Sequence, residues 1–489
     1  MKILAGYKFE LIIGILIILL YFALRLPNLT LQPIFADEAI YIRWAQVMRA
    51  EPTLRFLPLS DGKTPLFMWS VMPALKIFED PLFAGRIVSV FSGFATLLGV
   101  GFLGWKFFSS KIGLWGAFIY AIVPYTVFFD RMALVDSMFA SFSIWSLNFA
   151  LLLAKYQRLD LAMILGFLLG GGMLTKTPAI VNLFLLPTSV LASKFRAKLT
   201  LLWIVAIGIA LGLYNLLRLG PNFPQLSSRN ADYTFSPSVL LSQPFDPFLP
   251  HLGDISDWFH ALLSWPVLIF GIFGVAWVIK DKNKIGWVIL IWFLIPLLIQ
   301  MAILKTFTAR YLLFTIPPLL LLVGFGVERV LKSIKFINII TVILIISAWP
   351  IYFNYLLLTN PEKAPLPKAE RIGYFEEWTA GYGFKEIALF LIEAKSKGPV
   401  LVGTEGYFGT LPDGLQIYLE KKGIPVIGEG ATISAKLREA TKENTVYYVA
   451  NRNRVGQNID GTKLIKEYPK AKPLDERPQD MIVIYQVMP

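Results

Sequence analysis

Asp37 and Glu38 stand side by side shortly after an apolar N-terminal run, and no other pair in the chain is better placed for acid–base chemistry. Carboxylates just outside a membrane span are costly to desolvate and are usually kept for function. One of them within hydrogen-bond reach of a hydroxyl is a general base. The structural alternative is a helix start, with Asp37 as N-cap and Glu38 favoured by the helix dipole. The two roles are compatible.

Cations and further acids follow at intervals. Lys63 in Lys63-Thr64-Pro65-Leu66 offers a point charge for a phosphate oxygen, or simply snorkels at the membrane edge. Pro65 holds Thr64 extended, so the stretch is a shaped turn. Asp130 and Arg131 open the segment that ends at Asp136; the first two would pair with each other if purely structural, and Asp136 would cap a helix. Lys176 in Leu174-Thr175-Lys176-Thr177-Pro178 and Arg310 in Thr308-Ala309-Arg310-Tyr311 fall at outer span ends, where positive residues are disfavoured. An anionic lipid headgroup or pyrophosphate would account for them. Gly170-Gly171-Gly172 has no following Gly-Lys-Ser/Thr and reads as close helix packing. No nucleophilic Ser motif, Glu-x-x-His pair or Walker sequence occurs.

The elements that must position these residues are mostly membrane spans. Of 489 residues 56% are hydrophobic and only 16% charged, against about a quarter in soluble domains. Cysteine is absent, which excludes disulfides, iron–sulfur clusters and thiolate zinc, and two histidines speak against a His-based metal site. A divalent metal stays open, with no ligand cluster to mark its place. The net charge of +13 is spread through short gaps between apolar runs rather than over one soluble face, which argues against nucleic-acid binding.

Eleven candidate spans fall near 9–26, 82–105, 112–129, 137–154, 160–175, 178–193, 199–217, 261–279, 285–304, 310–328 and 336–357. Arg25-Leu26-Pro27 follows the first in place of a cleavage site, so it reads as a retained helix. A cytoplasmic N-terminus puts the basic gaps 106–111, 155–158, 194–198, 280–284 and 329–335 inside, as the positive-inside rule requires. Arg43, Arg49, Arg55 and Lys63 in the first outer loop are the mismatch. In that loop, apolar residues at 40, 44, 47 and 48 predict an interfacial helix. Beyond residue 358 a Pro-rich linker leads into a small extracytoplasmic α/β domain, 359–489. Strands are expected at 400–403, 425–427, 445–449 and 481–487, and helices at 384–394, 415–422 and 434–440.

Five motifs in order give a resemblance: Asp37-Glu38, Lys63 to Leu66, Arg131-x-x-Leu-x-Asp136, Leu174-Thr-Lys-x-Pro178, and Arg310-Tyr-Leu-Leu-x-x-x-Pro-Pro318. Over roughly 1–330 the chain resembles the GT-C glycosyltransferases of the protein O-mannosyltransferase and aminoarabinose-transferase group. The resemblance implies a transmembrane catalytic domain over 1–358 and a multi-pass protein of the plasma (cell inner) membrane. It also implies inverting transfer of a sugar from a polyprenyl-phosphate donor to an acceptor hydroxyl at the outer face. Known members often carry His or a second Pro where this chain reads Lys-Thr-Pro. On that resemblance Asp37, Glu38 and Asp136 are the catalytic candidates, with Asp37 acting on the acceptor. Lys63, Arg131, Lys176 and Arg310 would hold the donor phosphate and lipid, and Tyr41, Asp130 and Tyr311 would line the substrate cavity. The sugar is left open, as is the acceptor, whether protein, lipid or glycan. A transporter or flippase of lipid-linked sugars is the alternative; it predicts mid-span charges and inverted repeats, and no repeat is visible.

Overall fold

The computed structural model describes residues 8–193, 195–243, 245–334, 337–456 and 459–489. Lys194 and Lys335, each in an expected basic gap, lie outside them, as does residue 336 at the start of the last expected span. The chain is a mostly helical multi-pass membrane protein carrying a small C-terminal sheet. It forms two compact units: Met1–Pro27, Arg55–Phe67 and Val88–Pro365 in one, Asn28–Leu54, Met68–Ile87 and Leu366–Pro489 in the other.

Among the described residues six helices are long and apolar enough to cross a bilayer: Pro81–Phe107, Val135–Tyr156, Arg196–Leu219, Lys284–Ile303, Ala309–Ser333 and Ile339–Thr359. Two bent pairs raise the number to as many as eight. The remaining three of the eleven expected spans are short: Lys8–Ala23, Leu159–Thr175 and Thr177–Ala192. The bends have local causes. Val123 precedes Pro124, whose ring disfavours helical geometry at the residue before it, so Ser110–Ile122 and Pro124–Asp130 meet at 61°. Ser264, at φ 80°, separates Phe248–Leu263 from Trp265–Lys280, which meet at 108°. Asn283 and Asn338 cap their helices by accepting from the backbone N–H groups of Gly286 and Thr341.

Burial sorts the spans. Leu11, Ile12, Ile15, Leu16 and Leu19 of the first helix and Ile339, Ile340 and Leu344 of the last stay exposed, as lipid-facing residues do. Ala309–Ser333 is almost wholly enclosed. The glycine run packs as expected: a Cβ on Gly170 would meet Leu213, and one on Gly171 would meet Phe142.

In the second unit a five-stranded mixed sheet is built from β1 (Val400–Thr404), β2 (Val426–Gly428), β3 (Thr445–Asn451), β4 (Thr462–Pro469) and β5 (Met481–Val487). The order is β2-β1-β3-β5-β4, with β1 parallel to β2 and β3, and β5 antiparallel to β3 and β4. Four strands fall where the sequence predicts. β4 was not expected, because Lys463, Lys466 and Glu467 of this edge strand interrupt any apolar run. The helices Phe384–Lys395, Asp413–Leu419 and Ala435–Glu439 match expectation within a few residues.

The first-loop helix forms over Ala36–Ala50, but its burial extends beyond an apolar stripe to Glu38, Tyr41 and Gln46. Its partner is Asp413–Leu419. Arg43 Nε donates to Gln416 Oε1 at 3.1 Å, Gln46 to the Ile417 carbonyl at 2.9 Å, and Arg49 pairs with Glu420 at 2.7 Å. Two of the basic residues that contradicted the positive-inside pattern are thus tied to the C-terminal sheet domain, where they do not report orientation.

Asp413, at the start of that partner helix, accepts from the Gly409 N–H at 2.8 Å. Burial pushes its carboxyl up to about 6. Because the folded chain holds this proton more tightly than the unfolded one, stability is full below about pH 4 and falls until pH passes about 6, by about 3 kcal/mol at most. Asp413→Asn keeps the acceptor for Gly409 without the charge. At pH 8 it is expected to slow amide exchange in 409–419 relative to wild type, and at pH 4 to leave it unchanged. Equal exchange at both pH values would refute the linkage.

Candidate active site

The acidic pair divides its labour. Glu38 is fully buried: its Oε2 accepts from the Phe35 N–H at 2.9 Å, so the carboxylate at the third position of the helix caps its first turn. Arg86 grips both its oxygens, Nε to Oε1 and Nη2 to Oε2, each at 2.8 Å. The same guanidinium donates to the carbonyls of Leu29, Gln32 and Pro33. Glu38, expected as a catalytic carboxylate, anchors the loop before the helix through these contacts. The cap is also Glu38's, not Asp37's. Asp37 sits at the second helical position, part-exposed, within the field of the helix N-terminus. Tyr41, one turn on, is buried at 4% exposure, with its ring 6.1 Å from that of Trp44.

Arg86 was missed in the sequence. The signal was present, since a lone arginine inside an apolar helix needs a buried partner.

A second buried ion pair lies in the other unit. Asp130 does not pair with Arg131. Its Oδ2 accepts from Arg25 Nε at 3.0 Å, and Tyr120 and Ser137 also donate to the carboxylate. Gly93 permits the approach, for a Cβ there would lie 2.3 Å from Asp130 Cγ. Asp130 and Arg25 are both fully buried, so Asp130 ties the first helix to Pro124–Asp130 where a cavity-lining acid was expected. Arg131 donates to the carbonyls of Arg25 (2.6 Å) and Pro27 (2.9 Å) and is 2% exposed. Expected to hold donor phosphate, it also secures the end of the first helix.

Four of the expected residues do converge. Asp136 lies in the first turn of Val135–Tyr156, and Lys176 directly follows Leu159–Thr175, so the antiparallel pair brings both to one end. Lys176 Nζ donates to Asp136 Oδ1 at 2.5 Å. The same ammonium lies 4.2 Å from the centre of the Tyr311 ring, and the Arg310 guanidinium 5.3 Å from it. Tyr311 therefore carries a cation on each of two contacts, an arrangement favoured by its ring quadrupole. The mouth of these helices thus brings Lys176, Arg310, Tyr311 and Asp136 together. Asp136, expected to cap its helix or to act catalytically, lies at the second helical position and accepts from Lys176.

Lys63 pairs with Asp61 at 3.2 Å, and Arg229 reaches the other oxygen of Asp61 at 2.8 Å. Gly62 between them has φ 64° and would clash with Arg229 if it carried a Cβ, so a glycine suits this turn. Thr64, before Pro65, is buried as a shaped turn requires. No cluster of three metal-binding side chains occurs among the described residues.

A family model described as "Dolichyl-phosphate-mannose-protein mannosyltransferase" matches residues 62–217, about a third of the chain. The matched stretch takes in Lys63, Arg131, Asp136 and Lys176 but neither Asp37 nor Arg310. In three dimensions the chain is similar over 98% of its length to ArnT from Cupriavidus metallidurans, in the apo state and bound to undecaprenyl phosphate. Both matches have a TM-score of 0.60 and cover 98% of that chain, at 14% and 13% identity. The chain shares the fold of ArnT. It is also similar to the archaeal oligosaccharyltransferase AglB from Archaeoglobus fulgidus, in complex with an inhibitory peptide and a dolichol-phosphate. That match has a TM-score of 0.51 and 13% identity, and covers 91% of this chain and 70% of that one. No curated protein matches the sequence.

Proposed function

We propose that the protein transfers a sugar from a polyprenyl-phosphate donor to an acceptor hydroxyl at the outer face of the plasma membrane, with inversion at the anomeric carbon. The observation that carries this reading is the cluster of Lys176, Arg310 and Tyr311 oriented by Asp136 at one end of the apolar helices. Cations at a span mouth suit the phosphate of a lipid whose chain lies between helices. The basic gaps between spans support an N-terminus on the cytoplasmic side. A domain division at 1–358 and 359–489 remains the reading of the sequence, with parts of the first loop folding with the second unit.

The chemistry needs one displacement. The acceptor oxygen attacks the anomeric carbon from the face opposite the phosphate, its proton passing to the Asp37 carboxylate. The bond from that carbon to the phosphate oxygen breaks, and polyprenyl phosphate leaves. Lys63, Lys176 and Arg310 stabilise the charge developing on the leaving oxygen, which general acid is then not needed to neutralise. Mannose, other hexoses and pentose derivatives are all compatible with this scheme.

Proteoliposomes charged with polyprenyl-phosphate sugars and a membrane extract as acceptor source test the function, with mass spectrometry of the products. A sugar-bearing product dependent on the protein is expected; its absence with every donor refutes transfer. Lys63→Ala removes one charge-assisted contact to phosphate, so the apparent donor KM is expected to rise by about tenfold with kcat less affected. An unchanged donor KM removes Lys63 from the phosphate site.

A further inference from the structure

The small sheet has a feature that lipid-linked donor chemistry does not use. β1 is flanked by two parallel neighbours, and the chain leaves the carboxyl ends of β1 and β3 in opposite directions: to β2 on one side, and to β4 and β5 on the other. Ligands of open α/β folds bind at the carboxyl edge of the sheet at such a switch point. Here that edge carries Glu405, immediately after β1, and Asn451 and Arg454, at and after the end of β3.

Glu405 is 5% exposed. Its Oε1 accepts from Asn451 Nδ2 at 2.6 Å across the strand ends, and Arg454 Nη1 stands 3.8 Å from the same oxygen. Its Oε2 meets no hydrogen-bond donor among the described residues. Burial pushes this carboxyl up from the usual carboxylate range. A buried carboxylate oxygen left in that state costs free energy unless a ligand supplies a donor.

Around it the surface is aromatic. Tyr407 is 72% exposed, Phe408 45% and Trp378 40%. The Arg454 guanidinium lies 5.0 Å from the centre of the Trp378 ring. The loop is held in shape: Thr410 donates to the Trp378 carbonyl at 2.7 Å, and Gly409 to Asp413. Gly428 and Gly430 leave room for Tyr407, since a Cβ on either would lie within 3.0 Å of its ring or hydroxyl.

We infer that this edge binds a neutral saccharide: sugar hydroxyls meet the exposed Arg454 guanidinium and the Glu405–Asn451 pair behind it, and an apolar sugar face stacks on the aromatic side chains. Aromatic rings beside a carboxylate and an amide suit such a ligand, which presents hydroxyl donors on its rim and C–H groups on its faces. A phosphate or carboxylate ligand would meet repulsion from Glu405. The loop also reaches the helix that carries Asp37. Phe408 lies with its ring 5.8 Å from that of Trp44, and Trp44 is seven residues along the helix from Asp37, about 10 Å at helical rise. The bound saccharide is thus the acceptor, or the part of it next to the reacting hydroxyl. That last assignment rests on the transferase reading; the binding itself does not.

The test is binding of soluble neutral oligosaccharides to the full-length protein in nanodiscs without donor, by glycan array and then saturation-transfer NMR with the best ligand. Binding is expected in the wild type. It should be lost or weakened at least tenfold in Glu405→Gln and Tyr407→Ala, the second an exposed position whose loss leaves the fold intact. No binding by any neutral oligosaccharide overturns the inference, as does binding indifferent to both substitutions, or capture of acidic glycans alone. Sugar transfer by a protein that fails to bind would leave the transferase reading standing and remove only this site.

Discussion

Asp37→Asn is expected to lower turnover by about 10²–10⁴-fold, the range for removal of a general base, with the protein still folded. Asn keeps the shape and one acceptor oxygen at the second position of the Ala36–Ala50 helix, but it cannot take the acceptor's proton. Glu38 cannot substitute for it. Both its oxygens are engaged by Arg86, and one also by the Phe35 N–H. Loss should appear in kcat with donor KM little changed, because donor contacts are assigned to Lys63, Lys176 and Arg310. Folding is checked by thermal unfolding in detergent. Near-normal turnover would remove Asp37 from the reaction.

The second large effect is structural. Arg86→Met leaves Glu38 buried without its partner, and breaking a buried pair in this way costs about 3–5 kcal/mol. It also orphans the carbonyls of Leu29, Gln32 and Pro33, which Arg86 now satisfies. The expected result is a clear drop in thermal stability and faster amide exchange across 29–38, with activity lost because Asp37 sits on the loosened helix start. Pairing it with Glu38→Leu removes the stranded charge and should restore part of the stability but not the activity. If Arg86→Met matched wild type in both measurements, the anchor role would be wrong. A merely catalytic role for Glu38 predicts the opposite pattern, with activity lost and stability kept.

The comparison of Asp37 with Glu38, and of Asp130 with Asp136, shows where reading residues in order reaches its limit. Sequence marks all four as acids near span ends. Glu38 and Asp130 lie buried against Arg86 and Arg25, partners 48 and 105 residues away in sequence, and no local spacing reveals such pairs. Asp136 could be placed with Lys176 only once Val135–Tyr156 and Leu159–Thr175 were known to run antiparallel. Arg310 and Tyr311 join them from a helix more than a hundred residues further on.

Sequence alone was enough for the membrane class, the apolar helices, the glycine packing face and four strands of the sheet. Each of these is a local matter of hydrophobic period, length or turn chemistry, and water or lipid reads that pattern directly. Tertiary structure alone decided which charges are buried and paired, that Arg43 and Arg49 face the small domain, and that β4 forms the sheet edge. Those outcomes depend on desolvation, and a side chain's desolvation is set by neighbours that fold back from distant parts of the chain.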